Sequence, residues 1–452
     1  MSAMFRRVLV ANRGEIAARI LRACRAMSIE TVAVHSTADA DSPHLDLADR
    51  RICIGPPPAS RSYLDMDAIL QAADQTECQA IHPGYGFLSE NPLFAARCEA
   101  QRLAFIGPPS GVMRLLGNKV QARRAMKAAG VPTIPGSDGE LADAGAAAEQ
   151  ASAVGYPVFL KAAAGGGGRG MRRCTDEAAL RRGFQEARLE AEKAFGDGTL
   201  YLEKAIESGR HIEFQILVDT WGHAVHLGER ECSVQRRHQK LIEESPSPVL
   251  DSATRQRVGA QLAQAAASLG YRGAGTLELL RARDGALYFM EMNARLQVEH
   301  PVTEEVTGLD IVAAQIRIAA GHPLEMTQEE IKMKGHAIEF RINAEDPDAD
   351  FKPSPGVITR FEPPPGARVE THVPAGEPHY RVPPHYDSLI AKLIVHGTSR
   401  AEALRRGAAA LAAFRIEGIR TTLPLHRSVL DSPEFQSGGY DVTILERLLQ
   451  VT

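Results

Sequence analysis

Two glutamates on either side of a turn signal carry the clearest chemical pattern in the sequence. Asp284-Gly285 lies between two strand-like runs, and this dipeptide is a strong signal for a two-residue β-hairpin turn. With this turn, Glu278 faces Glu291, and directly opposed residues have Cβ atoms only about 5 Å apart. Two carboxylates at that separation need a cation, unless one of them is protonated.

The neighbouring Asn293 suggests which cation it is. Asn293 lies two residues past Glu291, so a continuing strand places both side chains on the same face. Hard oxygen ligands of this kind suit Mg²⁺ held by one or two carboxylates together with nucleotide phosphates. Glu278, Glu291 and Asn293 are therefore the predicted metal ligands. The alternative is an edge hairpin with both glutamates in water.

The same polar face extends further if the strand is unbroken. Arg295, Gln297 and Glu299 continue the odd-numbered polar positions, with apolar residues between them. Because side chains alternate along a strand, Glu299 is expected on the face of Glu291. The pattern predicts carboxylate, amide and guanidinium groups beside the metal, whereas a solvated surface strand is the alternative.

Two further segments could bind phosphates. Residues 229–240 concentrate hydrogen-bond donors, including His238 and Lys240, which suits a polyanion such as a triphosphate, although an exposed charged loop has the same composition.

A glycine-rich loop follows a strand that ends in Lys161. Consecutive glycines let backbone N–H groups converge on an anion and let a loop move. No Gly-Lys-Ser/Thr follows, so the loop is not a P-loop, and Lys161 favours a phosphate-covering lid over a plain flexible loop.

The elements that position these residues predict several domains. The 452 residues exceed the roughly 250–300 at which one hydrophobic core stops growing. Residues 8–11, 15–27 and 31–35 read as strand, helix and strand, a βαβ unit of a parallel sheet. Sequence rich in strands is expected from the lid to about residue 300. The α/β alternation continues to about residue 115, a helix holding Lys119 to Ala129 ends at Gly130 and Pro132, and residues from about 133 to 204 look like a small separate unit.

Composition and charge exclude several functions. The net charge is −4 and the Arg-Arg pairs are dispersed, which argues against a general nucleic-acid binder. The sequence has no run of eighteen apolar residues, so no transmembrane helix is expected. The six cysteines never approach CxxC spacing, which favours reduced thiols in a cytoplasmic protein over a zinc site or a disulfide framework.

With these segments together, the chain resembles the biotin carboxylases of the ATP-grasp ligase superfamily. The resemblance spans nearly the whole chain in family order, and its most specific motifs are RRHQK and EMNARLQVEHPVTE. The matching stretches are ANRGEIAARI (11–20), IHPGYGFLSEN (81–91), the glycine-rich lid, RRHQK (236–240), EMNARLQVEHPVTE (291–304), FRINAEDP (340–347) and HYDSLIAKL (385–393).

The resemblance implies an N-terminal Rossmann-like α/β domain (1–116), a helical linker (117–132), an ATP-grasp lid (133–204), an ATP-grasp catalytic core (205–335) and a C-terminal α+β region (336–452). It also implies a role for each site residue. The residues implied to contact ATP are Lys119, Lys161, Gly165, Gly166, Gly167, Gly168, Glu203, Lys204, Ile206, His211, Gln235, His238 and Leu280. Those implied to hold bicarbonate are Lys240, Arg295, Gln297 and Val298, with Glu299 as general base. Arg341 would stabilise the biotin enolate, and Tyr85 would lie near the biotin ring.

The implied reaction explains why these groups are needed. Bicarbonate is a poor nucleophile, so Glu299 takes its proton as it attacks the γ-phosphorus of ATP. Two Mg²⁺ or Mn²⁺ sites and lysines neutralise charge during phosphoryl transfer, and a closed lid keeps water from the carboxyphosphate that forms. Carboxyphosphate breaks down to CO₂ and phosphate, and the phosphate deprotonates the ureido nitrogen of biotin. The implied partners are a biotin carboxyl carrier protein, carboxyltransferase subunits and a second copy of the chain.

Two departures from the acetyl-CoA carboxylase pattern leave the final carboxyl acceptor open. Ala164 replaces the first of five lid glycines, and residues 241–248 read LIEESPSP where that pattern has EAPAP. Acetyl-CoA is the default acceptor, with another acyl-CoA, urea or a 2-oxo acid as alternatives. Two other readings remain: a different ATP-grasp ligase, such as a purine-pathway carboxylase or a carbamoyl phosphate synthase fragment, and a catalytically inactive regulatory paralogue.

Biotin is expected to arrive on another polypeptide. Biotin attachment in this class uses Met-Lys-Met at a hairpin tip, and the sequence does not contain that tripeptide: Met126-Lys127 is followed by Ala128, in a predicted helix. Mass spectrometry of the chain purified from cells should show no covalent biotin. A biotinylated lysine in this chain would refute the prediction.

Overall fold

The computed structural model describes residues 3–163 and 171–450. The predicted lid residues Gly165, Gly166, Gly167 and Gly168 lie outside the described residues, as does Ala164. Along the described chain, a parallel sheet is followed by two antiparallel sheets and smaller strand pairs. This order confirms the predicted α/β and α+β fold class.

The N-terminal residues form a five-stranded parallel sheet. Its strands are β1 (Arg7–Val10), β2 (Glu30–Ser36), β3 (Arg50–Gly55), β4 (Ala80–His82) and β5 (Ala104–Phe105), in the order β3-β2-β1-β4-β5. Its helices are α1 (Gly14–Ala26), α2 (Met66–Gln75) and α3 (Pro92–Ala100). The apolar run of β1 is fully buried, as expected for a parallel strand covered on both faces. The predicted βαβ unit is confirmed, and the strand order reverses beside β1, where doubly wound sheets bind ligands.

Two helices lead from this sheet to the lid. They are α4 (Ser110–Gly117) and α5 (Lys119–Ala128). The lid contains helix α6 (Ala144–Val154), strands β6 (Val158–Ala162) and β7 (Met171–Cys174), helix α7 (Glu177–Phe195) and strand β8 (Leu200–Lys204). Its three strands pair in the order β7-β6-β8. Strand β7 was not predicted, because its sequence Met-Arg-Arg-Cys lacks an apolar alternation.

The next segment supplies most of the second large sheet. Its elements are β9 (Arg210–Val218), β10 (Ala224–Arg236), β11 (Gln239–Ser245), α8 (Ser252–Ser268), β12 (Gly273–Arg281), β13 (Leu287–Asn293), α9 (His300–Thr307) and α10 (Ile311–Ala319). The prediction of strand-rich sequence here missed helix α8. Asp251 caps that helix by accepting a hydrogen bond from the Thr254 amide, a signal that the sequence contains.

The C-terminal region adds strands to the same sheet. Its strands are β14 (His336–Asn343), β15 (Glu345–Asp346), β16 (Lys352–Pro353), β17 (Gly356–Ile358), β18 (Arg360–Glu362), β19 (Arg368–Thr371), β20 (Tyr380–Val382), β21 (Leu389–Gly397) and β22 (Arg415–Glu417). Its helices are α11 (Arg400–Ala413), α12 (Leu423–Asp431), α13 (Pro433–Ser437) and α14 (Ile444–Gln450). The large sheet has the order β13-β12-β9-β10-β11-β14-β21-β19, so it continues across residue 335.

The β12–β13 hairpin corrects the predicted turn but confirms the predicted glutamate pair. Ala282 donates its amide to the carbonyl of Ala286 at 2.8 Å, so three residues form the loop instead of two. A bulge at Met290 then shifts the register by one residue. The two changes cancel, and Glu278 pairs with Glu291 as predicted.

The strand after this hairpin is shorter than predicted. Strand β13 ends at Asn293, and a turn leads to helix α9, so no unbroken strand reaches Glu299. The prediction of a single strand face from Glu291 to Glu299 is therefore wrong. Pro301 lies in the first turn of α9, where its missing N–H costs no hydrogen bond.

Membrane insertion has no support in the described helices. Among residues 3–163 and 171–450, none of the helices is long and apolar enough to cross a bilayer.

Candidate active site

A cavity of about 860 Å³ lies between the lid and the eight-stranded sheet, with residues of the N-terminal domain at one end. In the described part of the chain, every predicted site residue except Glu299 lines this cavity. Glu299 is fully buried beneath it. Segments far apart in sequence therefore converge on one space.

The centre of the site is the Lys240 ammonium. Its Nζ atom lies 2.6 Å from Glu213, 2.8 Å from Glu278 and 2.7 Å from Glu299. Burial opposes the charge of an ammonium group, but the three carboxylates outweigh burial and hold the pKa of Lys240 well above its usual range. Lys240 is thus a permanent cation that joins strands β9, β11 and β12 to the turn before α9.

The same contacts keep the neighbouring acids ionised. Burial would raise the pKa of Glu278, but Lys240 and His211 hold that pKa below its usual range. Burial would also raise the pKa of Glu299, and Lys240, Arg341 and Arg230 together hold it well below its usual range. Both carboxyl groups are therefore deprotonated at neutral pH.

The predicted metal ligands lie together on one wall of the cavity. Asn293 donates its amide to Glu278 at 2.8 Å, and Lys119 Nζ lies 2.9 Å from Glu291. The lysine ammonium groups of Lys119 and Lys240 thus sit beside the paired glutamates. Two carboxylates and an amide oxygen are hard donors that fit Mg²⁺ or Mn²⁺.

Arg341 on β14 is held by two carboxylates at the opposite end of the site. Its Nε donates to Glu243 Oε1 at 2.6 Å, and a terminal nitrogen donates to Glu299 at 2.9 Å. Burial raises the pKa of Glu243 to about 7, although Arg341 opposes the shift. Glu243 was not predicted from the sequence, because a buried glutamate in a strand carries no motif of its own.

Arg295 is held by Glu90, which the sequence analysis also missed. Arg295 Nε lies 2.9 Å from Glu90 Oε2, and the other carboxylate oxygen accepts the Ala294 amide at 2.9 Å. Arg295 also donates to Gln297 at 3.1 Å. Glu90 belongs to the IHPGYGFLSEN stretch, so the motif itself was the available signal.

Tyr85 lies at the point where the strand order of the parallel sheet reverses. Asn12, just after β1, donates its amide to the carbonyls of Pro83 and Tyr85, both at 2.7 Å. These bonds join the loops that follow β1 and β4. Tyr85 therefore reaches the cavity from the N-terminal domain.

The lid residues make contacts that the predicted roles did not include. Glu203 is paired with both Lys161 and Arg123. Lys204 donates to the carbonyls of Gly155 and Tyr156 at 2.8 and 2.9 Å. The side chains of Lys161, Glu203 and Lys204 are thus engaged within the lid and its linker.

The RRHQK motif forms a two-residue hairpin turn between β10 and β11. Arg236 pairs with Gln239, and Arg237 and His238 occupy the turn with φ of 48° and 67°. Burial and the Lys161 ammonium lower the pKa of His238, so its imidazole is neutral at neutral pH. Arg236 turns away and pairs with Asp350, while His238 and Lys240 line the cavity.

These features define the class of protein. A nucleotide-sized cavity between a small lid and an antiparallel sheet, with paired carboxylates on the sheet and lysines on both sides, is the arrangement of an ATP-grasp ligase.

Comparison with known proteins identifies the family within this class. Three family models match: "Biotin carboxylase, N-terminal domain" at residues 4–113, "Carbamoyl-phosphate synthase L chain, ATP binding domain" at 118–327 and "Biotin carboxylase C-terminal domain" at 339–447. A biotin carboxylase of Allochromatium vinosum is 54% identical over 452 residues, covering 99% of this chain and 100% of that protein.

Solved structures of biotin carboxylases are also similar to the chain over nearly its whole length. The biotin carboxylase domain dimer of Hydrogenobacter thermophilus 2-oxoglutarate carboxylase, in complex with MgADP, ADP and bicarbonate, superimposes with a TM-score of 0.94 at 48% identity, covering 99% of each chain. A biotin carboxylase from Campylobacter jejuni in a β-γ-ATP complex gives a TM-score of 0.94 at 49% identity, covering 98% of this chain and 99% of that one.

The chain belongs to the biotin carboxylase family. The function predicted from the sequence, ATP-dependent carboxylation of biotin by a ligase, is thereby confirmed.

The buried Arg230 should be a main source of stability for this site. It is fully buried and donates to Glu213 at 2.5 Å, Gln215 at 2.9 Å, Thr303 at 2.9 Å and Thr276 at 3.1 Å. Arg230→Met leaves these acceptors without their donor and should cost about 3–5 kcal/mol of unfolding free energy, measured by urea denaturation.

The matched control is Arg237→Met, whose side chain is 71% exposed. It should change the unfolding free energy by less than about 0.5 kcal/mol. Equal stability of the two variants would contradict the role given to Arg230.

Proposed function

We propose that the chain carboxylates biotin carried by a separate biotin carboxyl carrier protein, as the first half-reaction of a larger carboxylase. The observation that carries the proposal is the position of Lys240. Its ammonium contacts both Glu278, a proposed metal ligand, and Glu299, the proposed general base for bicarbonate. One fixed cation therefore adjoins both reactants of the phosphoryl transfer.

The proposed nucleotide site lies between the lid and strands β12 and β13. Lys119 and Lys161 bind phosphates, while Ile206 and Leu280 line the adenine pocket, with Glu203 and Lys204 at its edge. The other proposed nucleotide contacts are Gly165, Gly166, Gly167, Gly168, His211, Gln235 and His238. Glu278, Glu291 and Asn293 would hold Mg²⁺ or Mn²⁺, which would neutralise charge on the transferring phosphoryl group.

The proposed bicarbonate site comprises Lys240, Arg295, Gln297 and the backbone of Val298. In the structure Lys240 and Arg341 hold Glu299 ionised, which is the form a general base needs, but a strongly paired carboxylate is a weak base. Bicarbonate beside Lys240 would draw the ammonium away from Glu299. The pKa of Glu299 would then rise toward the range in which it accepts a proton efficiently.

Biotin is proposed to bind beside Arg341 and Tyr85. The guanidinium stays charged at any working pH, so it stabilises negative charge on the ureido oxygen once the nitrogen is deprotonated. Arg341 is anchored from behind by Glu243, which fixes the direction of its donors.

Each segment of the chain is proposed to contribute differently to the reaction. The proposed segments are an N-terminal domain (1–116), a linker (117–132), a lid (133–204), a core (205–335) and a C-terminal region (336–452). The N-terminal domain contributes Tyr85 and the lid covers the nucleotide. The continuous eight-stranded sheet carries Lys240, Glu278 and Glu291 of the core and Arg341 of the C-terminal region, and the turn before α9 carries Glu299. The cysteines form no disulfide in the described residues, which supports the proposed cytoplasmic location.

The final acceptor is proposed to be acetyl-CoA or another acyl-CoA. Two similar structures come from a 2-oxoglutarate carboxylase and a pyruvate carboxylase, so the same fold serves complexes with different acceptors. A carboxyltransferase partner selects the acceptor, and the partners that co-purify with the chain decide among an acyl-CoA, urea and a 2-oxo acid.

Glu299→Gln should separate nucleotide binding from chemistry. The variant keeps the size of the side chain and removes the base, so bicarbonate-dependent ATP cleavage should fall by about 10²–10⁴-fold. Affinity for MgATP should change little, because the phosphate and metal ligands remain. Glu305→Gln, a control on helix α9, which follows Glu299, should retain full activity; near-normal turnover in Glu299→Gln would show that Glu299 is not the base.

The chain should form a homodimer. The similar domain of 2-oxoglutarate carboxylase is a dimer at 48% identity over nearly the whole chain. Light scattering at micromolar concentration should give twice the mass of the chain, and the mass of a single chain would count against the dimer.

A further inference from the structure

Lys392 on β21 is a fully buried lysine beneath the active site that the reaction described above does not use. Its Nζ atom donates to the carbonyl of Val298 at 2.9 Å and lies 3.2 Å from Glu15 Oε2. Glu15 is in the first turn of α1, in the N-terminal domain. One ammonium group therefore joins helix α1 to the turn that precedes α9.

In that turn, the backbone carbonyls of Gln297 and Val298 both accept hydrogen bonds from buried side chains. Gln297 O accepts hydrogen bonds from His300, at 2.8 Å from Nδ1 and 3.3 Å from the amide, while Val298 O accepts from Lys392. Burial and then the Lys392 ammonium lower the pKa of His300, so the ring is neutral. Because a carbonyl only accepts, the single ring proton must lie on Nδ1.

Holding these carbonyls fixes the two peptide planes on either side of Val298. The Val298 N–H belongs to the plane whose carbonyl is Gln297 O, and the Glu299 N–H belongs to the plane whose carbonyl is Val298 O. The orientation of both groups therefore depends on His300 and Lys392. A turn outside regular secondary structure has no ladder of hydrogen bonds to do this instead.

The charged neighbours of Lys392 do not by themselves explain its hydrogen bond to the carbonyl of Val298 in the turn. Lys392 lies directly opposite Arg341 in the β14–β21 register and opposite Glu370 in the β19–β21 register. Its ammonium also lies 5.9 Å from the centre of the Tyr85 ring. A buried lysine needs a carboxylate, which Glu15 provides, but pairing alone does not require a bond to the Val298 carbonyl.

We propose that Lys392 is a positioning residue for the carboxylation reaction. Through its bond to the Val298 carbonyl it aims the Val298 N–H and the Glu299 carboxylate at bicarbonate, and Glu15 compensates its buried charge. The inference rests on the bicarbonate site proposed above. Lys392 itself does not touch the reacting atoms.

The test compares Glu15→Gln with the double variant Glu15→Gln/Lys392→Met. The two proteins differ only at residue 392. In Glu15→Gln the Lys392 ammonium still lies near Glu339 and Glu370, and in the double variant Glu370 keeps its pairing with Arg368, so both proteins should fold, which the melting temperature checks. The measurements are the bicarbonate KM and kcat of ATP cleavage, the affinity for MgADP and the melting temperature. Glu15→Gln keeps the bond between Lys392 and Val298 and should change the bicarbonate kcat/KM less than about threefold.

The double variant should lower the bicarbonate kcat/KM by about 10–100-fold, because small misplacements of a reacting group cost that much. Its affinity for MgADP should stay within about twofold of that of Glu15→Gln. Equal bicarbonate kcat/KM in the two proteins would overturn the proposal, and so would a loss of MgADP affinity that matches the loss in kcat/KM.

A further variant distinguishes an error in the positioning role of Lys392 from an error in the proposed bicarbonate site. Arg295→Lys alters a proposed bicarbonate ligand directly and should raise the bicarbonate KM. A raised bicarbonate KM in Arg295→Lys, together with equal bicarbonate kcat/KM in Glu15→Gln and Glu15→Gln/Lys392→Met, would support the bicarbonate site and show that the positioning role of Lys392 is wrong. If Arg295→Lys leaves the bicarbonate KM unchanged, the proposed bicarbonate site itself is wrong.

Discussion

The buried contact between one ammonium group and three carboxylates is the constraint on which the rest of the structure depends. Lys240 is within 2.8 Å of Glu213, Glu278 and Glu299, and none of the four side chains is substantially exposed. Each would be costly to bury alone, since an unpaired charge in the interior loses its hydration without compensation. Strands β9, β11 and β12 and the turn before α9 must therefore keep their relative positions, and this requirement fixes the geometry of the proposed substrate sites.

Irregularities in the strands bring these groups together. The β10–β11 ladder shifts register on both sides of Val234, and the bulge at Met290 brings Glu291 opposite Glu278. A bulge inserts one residue and redirects the side chains that follow it. A regular ladder would carry the same residues but would place some of them on the wrong face, because a shift by one residue reverses every side chain.

The sequence was sufficient for the features that depend on local pattern. The βαβ start follows from apolar runs and the β12–β13 hairpin from its turn signal, and both are present. The pairing of Glu278 with Glu291 holds only because the bulge at Met290 offsets the longer loop. The end of β13 at Asn293 was not predictable from alternation, because a turn held by buried side chains can carry the same polar spacing as a strand. Glu243 and Lys392 were missed for a related reason: a charged residue in a strand indicates a site only when its buried partners from distant segments are known.

The cations of the site share one more property, which bears on how anionic substrates enter. Each cation proposed to bind phosphate, bicarbonate or the biotin enolate is paired with a protein carboxylate: Lys119 with Glu291, Lys161 with Glu203, Lys240 with Glu213, Glu278 and Glu299, Arg295 with Glu90, and Arg341 with Glu243 and Glu299.

Binding is then an exchange of partners in which the cations give up part of their contact with carboxylates and gain contact with a substrate. The carboxylates already hold the cations close to the positions from which they would meet the substrates, so the cations move little, and such preorganisation is the main source of electrostatic catalysis. In the proposed mechanism the same exchange would release Glu299 from Lys240 only when an anion has arrived beside it. The basicity proposed for Glu299 would thus be generated by the binding of the substrate itself.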